Sequence, residues 1–296
     1  MQTRNLLDHS FGNQAVSPAE RRRRIGAVFD AIAPRYDLMN DLMSFGIHRL
    51  WKRKLAARVA GAGGVAVDLA GGTGDVARLL VDGHLRVVVC DPSLPMMLAG
   101  RSRGRAGMTW LAGEAENLPL ADASVDLLTV AFGLRNATRL QLALAEIRRV
   151  LKPGARFVCL EFSRPAAWLA PFYDLYSFLV IPRLGALVAR EPLAYQYLVE
   201  SIRRFPDQAE FARLMEQSGF GVVHWENVSF GIACLHFGLA PEMKAGKEGA
   251  LPPPPSPGER ERKRSPRGIG WALPPSPSPG EGATRMSAFG GESFTL

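Results

Sequence analysis

The chain reads as an α/β protein with a mostly parallel sheet and helices on both faces. Three observations lead there. Short apolar, β-branched runs alternate with helical segments through the first two thirds of the sequence. One run, Val65-Ala66-Val67-Asp68-Leu69, ends near an acid and flows through Ala70-Gly71-Gly72-Thr73-Gly74-Asp75 into the helical Val76-Ala77-Arg78-Leu79-Leu80. A strand, a tight glycine turn and a helix start are the parts with which such sheets hold nucleotide-like ligands. The last two apolar runs are separated by only a few residues around Gly231. That is too short for a crossover, so they form a hairpin and the final strand runs antiparallel to the rest.

The elements follow in order. Pro18–Ala33 is a helix, with Ser17 as N-cap and Pro18 at the first position. A second helix spans His48–Ala60 and stops at Gly61. Strands are expected at Val65–Leu69, Leu85–Cys90, Met108–Leu111, Val125–Ala131 and Arg156–Glu161, with helices Asp75–Val81, Leu94–Arg103 and Thr138–Leu151 between them. Lys152-Pro153-Gly154 ends the last of these helices and turns into the fifth strand. A helical insert follows from Trp168 to about Arg204. Its apolar part contains Pro171, Asp174, Pro182 and Arg183, which suits helices over a greasy pocket or on a bilayer surface better than a membrane span. A helix over Pro206–Ser218, closed by Gly219, precedes the strands Phe220–Asn227 and Ile232–Phe237, the sixth and seventh of the sheet.

Residues 18–240 therefore form the folded domain and residues 1–17 a flexible N-terminus. Beyond them the composition changes. Pro252-Pro253-Pro254-Pro255-Ser256-Pro257-Gly258-Glu259 is echoed by Pro274-Pro275-Ser276-Pro277-Ser278-Pro279-Gly280-Glu281. Such a segment buries too little surface to offset chain ordering, and residues 241–296 are expected to be disordered.

The net charge is +8, and residues 1–240 hold 28 of the 36 Lys and Arg against 22 of the 28 Asp and Glu. A basic body suits an anionic partner such as a membrane surface, or serves solubility alone. The run Arg21-Arg22-Arg23-Arg24 reads as a solvated helix face. No apolar stretch of the kind found in signal peptides follows the polar start, so a cytoplasmic location is expected. Cys90, Cys159 and Cys234 each lie in an apolar run without metal-ligand spacing. They read as reduced core thiols, and no metal site is expected.

For chemistry, Asp68, Gly72, Thr73 and Gly74 form the first ligand loop. Glycines there let the backbone approach a ligand closely. Gly72-x-Gly74-x-x-Ala77 also fits the dinucleotide fingerprint, so this loop alone leaves S-adenosylmethionine and a nicotinamide or flavin cofactor both open. Asp91 closes the second strand seventeen residues after Gly74, where an acid can accept the ribose hydroxyls of an adenosyl group. Glu114-Ala115-Glu116-Asn117-Leu118-Pro119 follows the third strand, where methyltransferases place the loop under the adenine. In this order the three features favour S-adenosylmethionine.

Longer segments carry a specific resemblance. Tyr36-Asp37-Leu38-Met39-Asn40-Asp41-Leu42-Met43-Ser44-Phe45-Gly46-Ile47-His48-Arg49-Leu50-Trp51 resembles the first signature of the ubiquinone/menaquinone-biosynthesis C-methyltransferase family. The segment Arg149-Val150-Leu151-Lys152-Pro153-Gly154-Ala155-Arg156-Phe157-Val158-Cys159-Leu160-Glu161-Phe162-Ser163 is similar to its second signature. Phe132-Gly133-Leu134-Arg135-Asn136 and Tyr195-Gln196-Tyr197-Leu198-Val199-Glu200-Ser201-Ile202 match as well, and the likeness covers roughly residues 20–240. Two positions depart: Ala155 stands where the family usually has glycine, and Ala131 where it often has serine beside the cofactor.

The resemblance implies a Rossmann-like class I methyltransferase fold and S-adenosylmethionine-dependent C-methylation of the reduced ring of a polyprenylated quinone precursor. Cofactor binding then falls to Asp68, Gly72, Thr73, Gly74, Asp91, Glu114, Ala115 and Ala131. Catalysis falls to Arg135, with His48, Tyr36 and Asp37 as candidates for the base. Met39 and Met43 would line a core or prenyl pocket. The implied partners are a polyprenyl quinol, a membrane surface on the inner face of the cell membrane, and other quinone-biosynthesis proteins or a second copy of the chain, with no nucleic acid. Three rival functions stand beside it: methylation of another small acceptor on oxygen or nitrogen, a nicotinamide oxidoreductase, which the adenine loop and terminal hairpin disfavour, and a non-catalytic cofactor-binding role within a quinone-biosynthesis assembly.

Overall fold

The computed structural model describes residues 10–11, 14–33, 40–41, 44–81, 84–103, 107–176 and 192–242. Its seven-stranded sheet comprises β1 (Gly64–Leu69), β2 (Leu85–Asp91), β3 (Met108–Ala112), β4 (Val125–Ala131), β5 (Leu151–Phe162), β6 (Gly221–Val228) and β7 (Ala233–Leu239). The spatial order is β3-β2-β1-β4-β5-β7-β6. The pairs β2–β3, β1–β2, β1–β4 and β4–β5 are parallel, while β7 is antiparallel to both β5 and β6. The expected reversed last strand is present, inserted between its hairpin partner and the parallel strands. Strand order changes direction between β1 and β4, and ligands of such sheets bind outside the carboxyl ends at that point.

Helices cover both faces: α1 (Pro18–Ile32), α2 (Ile47–Arg58), α3 (Asp75–Leu80), α4 (Leu94–Arg101), α5 (Leu140–Val150), α6 (Ala170–Leu175), α7 (Pro192–Arg204) and α8 (Gln208–Gln217). Alternate strand residues feed two cores, as the two-residue period of a strand requires. Val67, Leu128, Phe157 and Cys159 pack with Leu144 and Ile147 of α5 and Phe211 of α8. Ala66, Leu127, Val158 and Leu160 face Leu55 of α2 and Val76 and Leu80 of α3. Cys90, Cys159 and Cys234 are free, buried thiols. Burial pushes Cys90 and Cys234 up to about 12.

Helix α1 starts as expected: the Ser17 hydroxyl accepts the Glu20 amide hydrogen at 3.2 Å. Ahead of it, Ser10–Phe11 pairs with Gln14–Ala15, and the Phe11 ring stacks on Tyr197 at 4.8 Å. The fifth strand differs from expectation. It begins at Leu151, directly after α5, and Lys152-Pro153-Gly154 lies within it as an irregularity between the pairs Val125–Leu151 and Leu127–Arg156. Gly154 takes φ +77, and the Lys152 ammonium pins the bulge to Asp126 at 2.8 Å. A turn sequence thus folds as a bulge because Leu151 already has a strand partner.

Among the described residues, no helix is long and apolar enough to cross a membrane. Residues 177–191 of the insert, Tyr36, Asp37, Met39 and Met43, and the chain from residue 243 onward, including the expected disordered tail, lie outside the described residues.

Candidate active site

The loop after β1 is shaped from beneath. Ala70, Gly72 and Gly74 take φ of +51, +54 and +78. A Cβ on Gly71 would meet the Asp68 carbonyl oxygen at 2.8 Å, so only glycine fits. The Asp68 carboxylate accepts the Ala77 amide hydrogen at 3.0 Å and the Thr129 hydroxyl at 3.1 Å. It therefore ties the glycine turn to the first turn of α3 and to β4. Asp68 is 1% exposed, and burial raises its carboxyl to about 7, against the lowering effect of those two bonds.

A cavity of about 190 Å³ opens above this loop. Asp91 lies at its wall, with one carboxylate oxygen taking the Gly72 amide hydrogen at 2.9 Å and the other that of Ser93 at 2.8 Å. Burial raises its carboxyl to about 6. Glu114, Ala115 and Glu116 line the same cavity, as do Gly133 and Asn136. Glu116 also accepts the Thr138 amide hydrogen at 2.6 Å, which locks the turn after β3 to the turn after β4.

Helix α1 bridges all these strand ends. Ile25, Gly26 and Phe29 line the cavity, Asp30 accepts the Ser93 hydroxyl at 2.7 Å, and Arg22 pairs with Glu114 at 3.2 Å. Arg21 is 1% exposed, against the expectation of a solvated face. Its guanidinium donates to the carbonyls of Asn136, Ala137 and Arg135 and to the Thr138 hydroxyl, at 2.9 to 3.4 Å. The correction has a periodic cause. Arg21, Ile25, Phe29 and Ala33 lie four apart on the inward face, so only the first arginine of the run turns inward.

A second cavity, of about 300 Å³, adjoins the first through Phe132, whose side lines both. Phe132 takes φ +60, an uncommon conformation for a bulky residue, and is held by its amide bond to the Leu160 carbonyl at 2.8 Å. Its ring lies 4.6 Å from that of Phe162 and 6.0 Å from that of Trp51. The Trp51 indole donates to the Ser229 hydroxyl at 2.8 Å.

Arg135 also lines this cavity and is 4% exposed. It pairs with Glu161 at 3.1 Å, donates to the Phe132 carbonyl, and sets its guanidinium 5.4 Å from the Phe162 ring centre. Burial raises the Glu161 carboxyl, against the pull of Arg135. The buried Nε–H of Arg135 has no acceptor among the described residues, which leaves a donor for an acceptor-side ligand.

His48, 4% exposed, lines the cavity at the start of α2. The Ser44 hydroxyl donates to the Asn40 carbonyl at 2.7 Å, so the 2.7 Å contact to His48 is made by an Nδ1–H donating to Ser44 Oγ. That leaves the Nε2 lone pair as the proton acceptor. Burial, with the nearby Lys52 charge, lowers the imidazole to about 4, so it is neutral near pH 7.

Of the residues expected to bind cofactor, Gly72, Asp91, Glu114 and Ala115 line the first cavity. Asp68, Thr73, Gly74 and Ala131 are not in its lining. Asp68 and Gly74 shape the loop from behind, and Ala131 packs on the core beneath β4. Arg135 and His48 come together in the second cavity. Sequence reasoning missed Arg21 and Glu161. The signal for Glu161 is a lone acid inside the apolar run Phe157–Phe162, which demands a buried partner.

The chain resembles proteins of known class over most of this domain. It is 63% identical over 233 residues to the ubiquinone/menaquinone biosynthesis C-methyltransferase UbiE of Rubrivivax gelatinosus, covering 78% of this chain and 93% of that one. It is 42% identical over 273 residues to the mitochondrial 2-methoxy-6-polyprenyl-1,4-benzoquinol methylase of Gallus gallus, covering 77% and 88%. An S-adenosylmethionine-dependent methyltransferase from Thermotoga maritima shares the fold at a TM-score of 0.54 and 20% identity, covering 72% and 98%. The ubiE/COQ5 methyltransferase family model matches residues 17–240, and the chain belongs to that family.

Proposed function

We propose that the protein transfers a methyl group from S-adenosylmethionine to a ring carbon of a reduced polyprenyl quinone precursor, in ubiquinone or menaquinone biosynthesis. The observation that carries the reading is the pair of cavities sharing Phe132: one at the strand ends, where Asp91 and Glu114 stand among apolar side chains, and one aromatic, holding Arg135 and His48.

The first cavity fits the cofactor by the chemistry of its donors and acceptors. Asp91 would take the ribose hydroxyls, the Glu114–Glu116 turn the adenine, and the backbone at Ala70 and Gly72 the amino-acid end. When bound, S-adenosylmethionine supplies an electrophilic methyl group. The chain's own task is to hold the acceptor carbon in line with that methyl and to manage one proton. Arg135 is the electrostatic group: its open Nε–H would donate to a ring oxygen of the acceptor and favour the phenolate left when the hydroxyl proton passes to water, which makes the neighbouring ring carbon electron-rich for attack, while Glu161 keeps the guanidinium in place. His48 Nε2 takes the proton released when the methylated ring regains aromaticity. A base weakened to about 4 is adequate there, since that proton is strongly acidic. Tyr36 and Asp37 remain proposed contributors from the same signature. Peripheral association with a membrane follows from a substrate with a polyprenyl tail.

The test is a product assay. The protein is incubated with methyl-labelled S-adenosylmethionine and, separately, a reduced demethylmenaquinol and a reduced methoxy-polyprenylbenzoquinol. Label on a ring carbon of either quinol is expected. Label on oxygen, or none on either ring with cofactor bound, overturns the reading.

A further inference from the structure

Large apolar side chains lie exposed around the mouth of the aromatic cavity. Trp168, Phe172 and Leu175 are 60%, 68% and 60% exposed and fall at spacings of four and three, forming one stripe along the turn into α6. Helix α6 buries none of its own residues. Phe230 is 68% exposed and contacts Trp168 edge-on at 5.3 Å. Its backbone and that of Ser229 are held at φ +56 and +48, so a strained turn maintains an outward-facing phenyl ring. Across the mouth, Phe45 and Leu50 are 76% and 58% exposed, and the Phe45 ring lies 5.7 Å from Tyr176 of the α6 side. Phe45 and Phe172 also line the cavity, so patch and cavity are continuous.

Charge selects the occupant. Helix α2 carries Arg49, Lys52, Arg53, Lys54 and Arg58 and no acid. Lys52 is buried against Asp75, and Asp41 and Glu226 pair with Arg49, Lys54 and Arg58, while Arg53 stays exposed. An aromatic and aliphatic stripe bordered by basic residues is the composition of elements that lie in the headgroup region of anionic bilayers.

We propose that Leu50, Trp168, Leu175 and Phe230 form a bilayer-docking rim around the acceptor cavity, so that a lipid-tailed acceptor enters it from the membrane without crossing water. This rests on the quinol reading above. Arg53 and the exposed Arg49 on α2 meet the anionic headgroups, and the rim residues enter the acyl boundary beneath them.

The test uses flotation of the full chain with vesicles of phosphatidylcholine containing one third phosphatidylglycerol. The parent is expected to float with them, and less so with added salt. Trp168→Ser with Leu175→Ser should lower the bound fraction by about tenfold, the scale of losing two inserted side chains. Leu50→Ser, on a different helix, and Arg53→Glu should each lower it by less. Turnover on a short-tailed quinol in solution should stay at the parent level in all of them, whereas turnover on a long-tailed quinol embedded in vesicles should fall. The proposal is overturned if the parent does not bind these vesicles, or if the double variant and Leu50→Ser both float like the parent. A parent that is dimeric in solution, binds no vesicles and becomes monomeric in the double variant would assign the rim to a second copy instead. Failure of the quinol reading is separable: the parent would methylate neither quinol, while flotation would still report on the rim.

Discussion

On the Asp91 side of Phe132, the cavity has acids and small residues at the ends of β1 to β4, with Leu69 and Met96 among them and α1 across them. On the Arg135 side it is walled mainly by aromatic and aliphatic side chains, with Asn40, Ser44, His48, Arg135 and Ser229 as the polar minority. These come from the segments 40–51 and 162–176 and from Ile202, Ser229 and Ile232. The difference follows from what each must hold. A polar nucleotide-like ligand needs particular donors and acceptors at fixed places, which short loops after strands provide. An apolar acceptor needs shape and dryness, which any large side chains brought together by the fold provide.

Three substitutions test that contrast. The largest effect is expected at Arg135. Arg135→Ala should lower turnover by about 10²–10³-fold, the scale for one preorganised electrostatic group, with cofactor affinity nearly unchanged. Glu161 would then be left buried without its partner, at a cost of about 3–5 kcal/mol in stability. Thermal midpoint and calorimetric cofactor affinity must therefore be measured with turnover, and Arg135→Lys run beside it to keep the charge. If cofactor affinity drops in step with turnover, the cavities are not independent and Arg135 is a scaffold residue.

A smaller effect belongs to the Asp91 side. Asp91→Ala should weaken S-adenosylmethionine binding by roughly tenfold to a hundredfold, corresponding to about 1–3 kcal/mol of lost hydrogen bonding. At saturating cofactor its turnover should approach the parent's. Unchanged affinity in a folded variant removes Asp91 from the site.

The smallest effect distinguishes the two buried carboxylates. Asp68 is raised to about 7, so the fold favours its neutral form. The unfolded chain loses this proton near pH 4, and the stability carried by the group is therefore whole below that point and lost as pH rises through about 7. Asp68→Asn keeps an acceptor for Ala77 and a partner for Thr129 without the charge. Denaturant unfolding at about pH 5 and about pH 8 should show the parent losing more stability between them than the variant. Equal losses would show that the Asp68 proton is not what the pH change removes. Cofactor affinity should change less than in Asp91→Ala.

The same contrast governs what could be read from the chain alone. The cofactor half lies in contiguous motifs, so the strand ends, Asp91 and the 114–116 turn were legible without a fold. The acceptor half is assembled from residues up to about 190 positions apart, such as Trp51 and Ser229, and no local pattern announces their meeting. Arg135 and His48 were found through long signatures; their partners Glu161 and Ser44 emerge only from packing. Arg21 was hidden by its three solvated neighbours, and only the four-residue spacing to Ile25 marks it. Asp68 was legible as important but not as a support: its neighbours Ala77 and Thr129 are supplied by the next helix and a neighbouring strand.

The hydrogen bonds of Arg21 also couple two parts of the site mechanically. Arg21 ties α1, which walls the first cavity, to the carbonyls of residues 135–137 and the Thr138 hydroxyl. Those carbonyls belong to the very turn that carries Arg135. The wall of the first cavity and the turn that carries Arg135 are thus fastened at one pin, so any displacement of α1 would loosen both together.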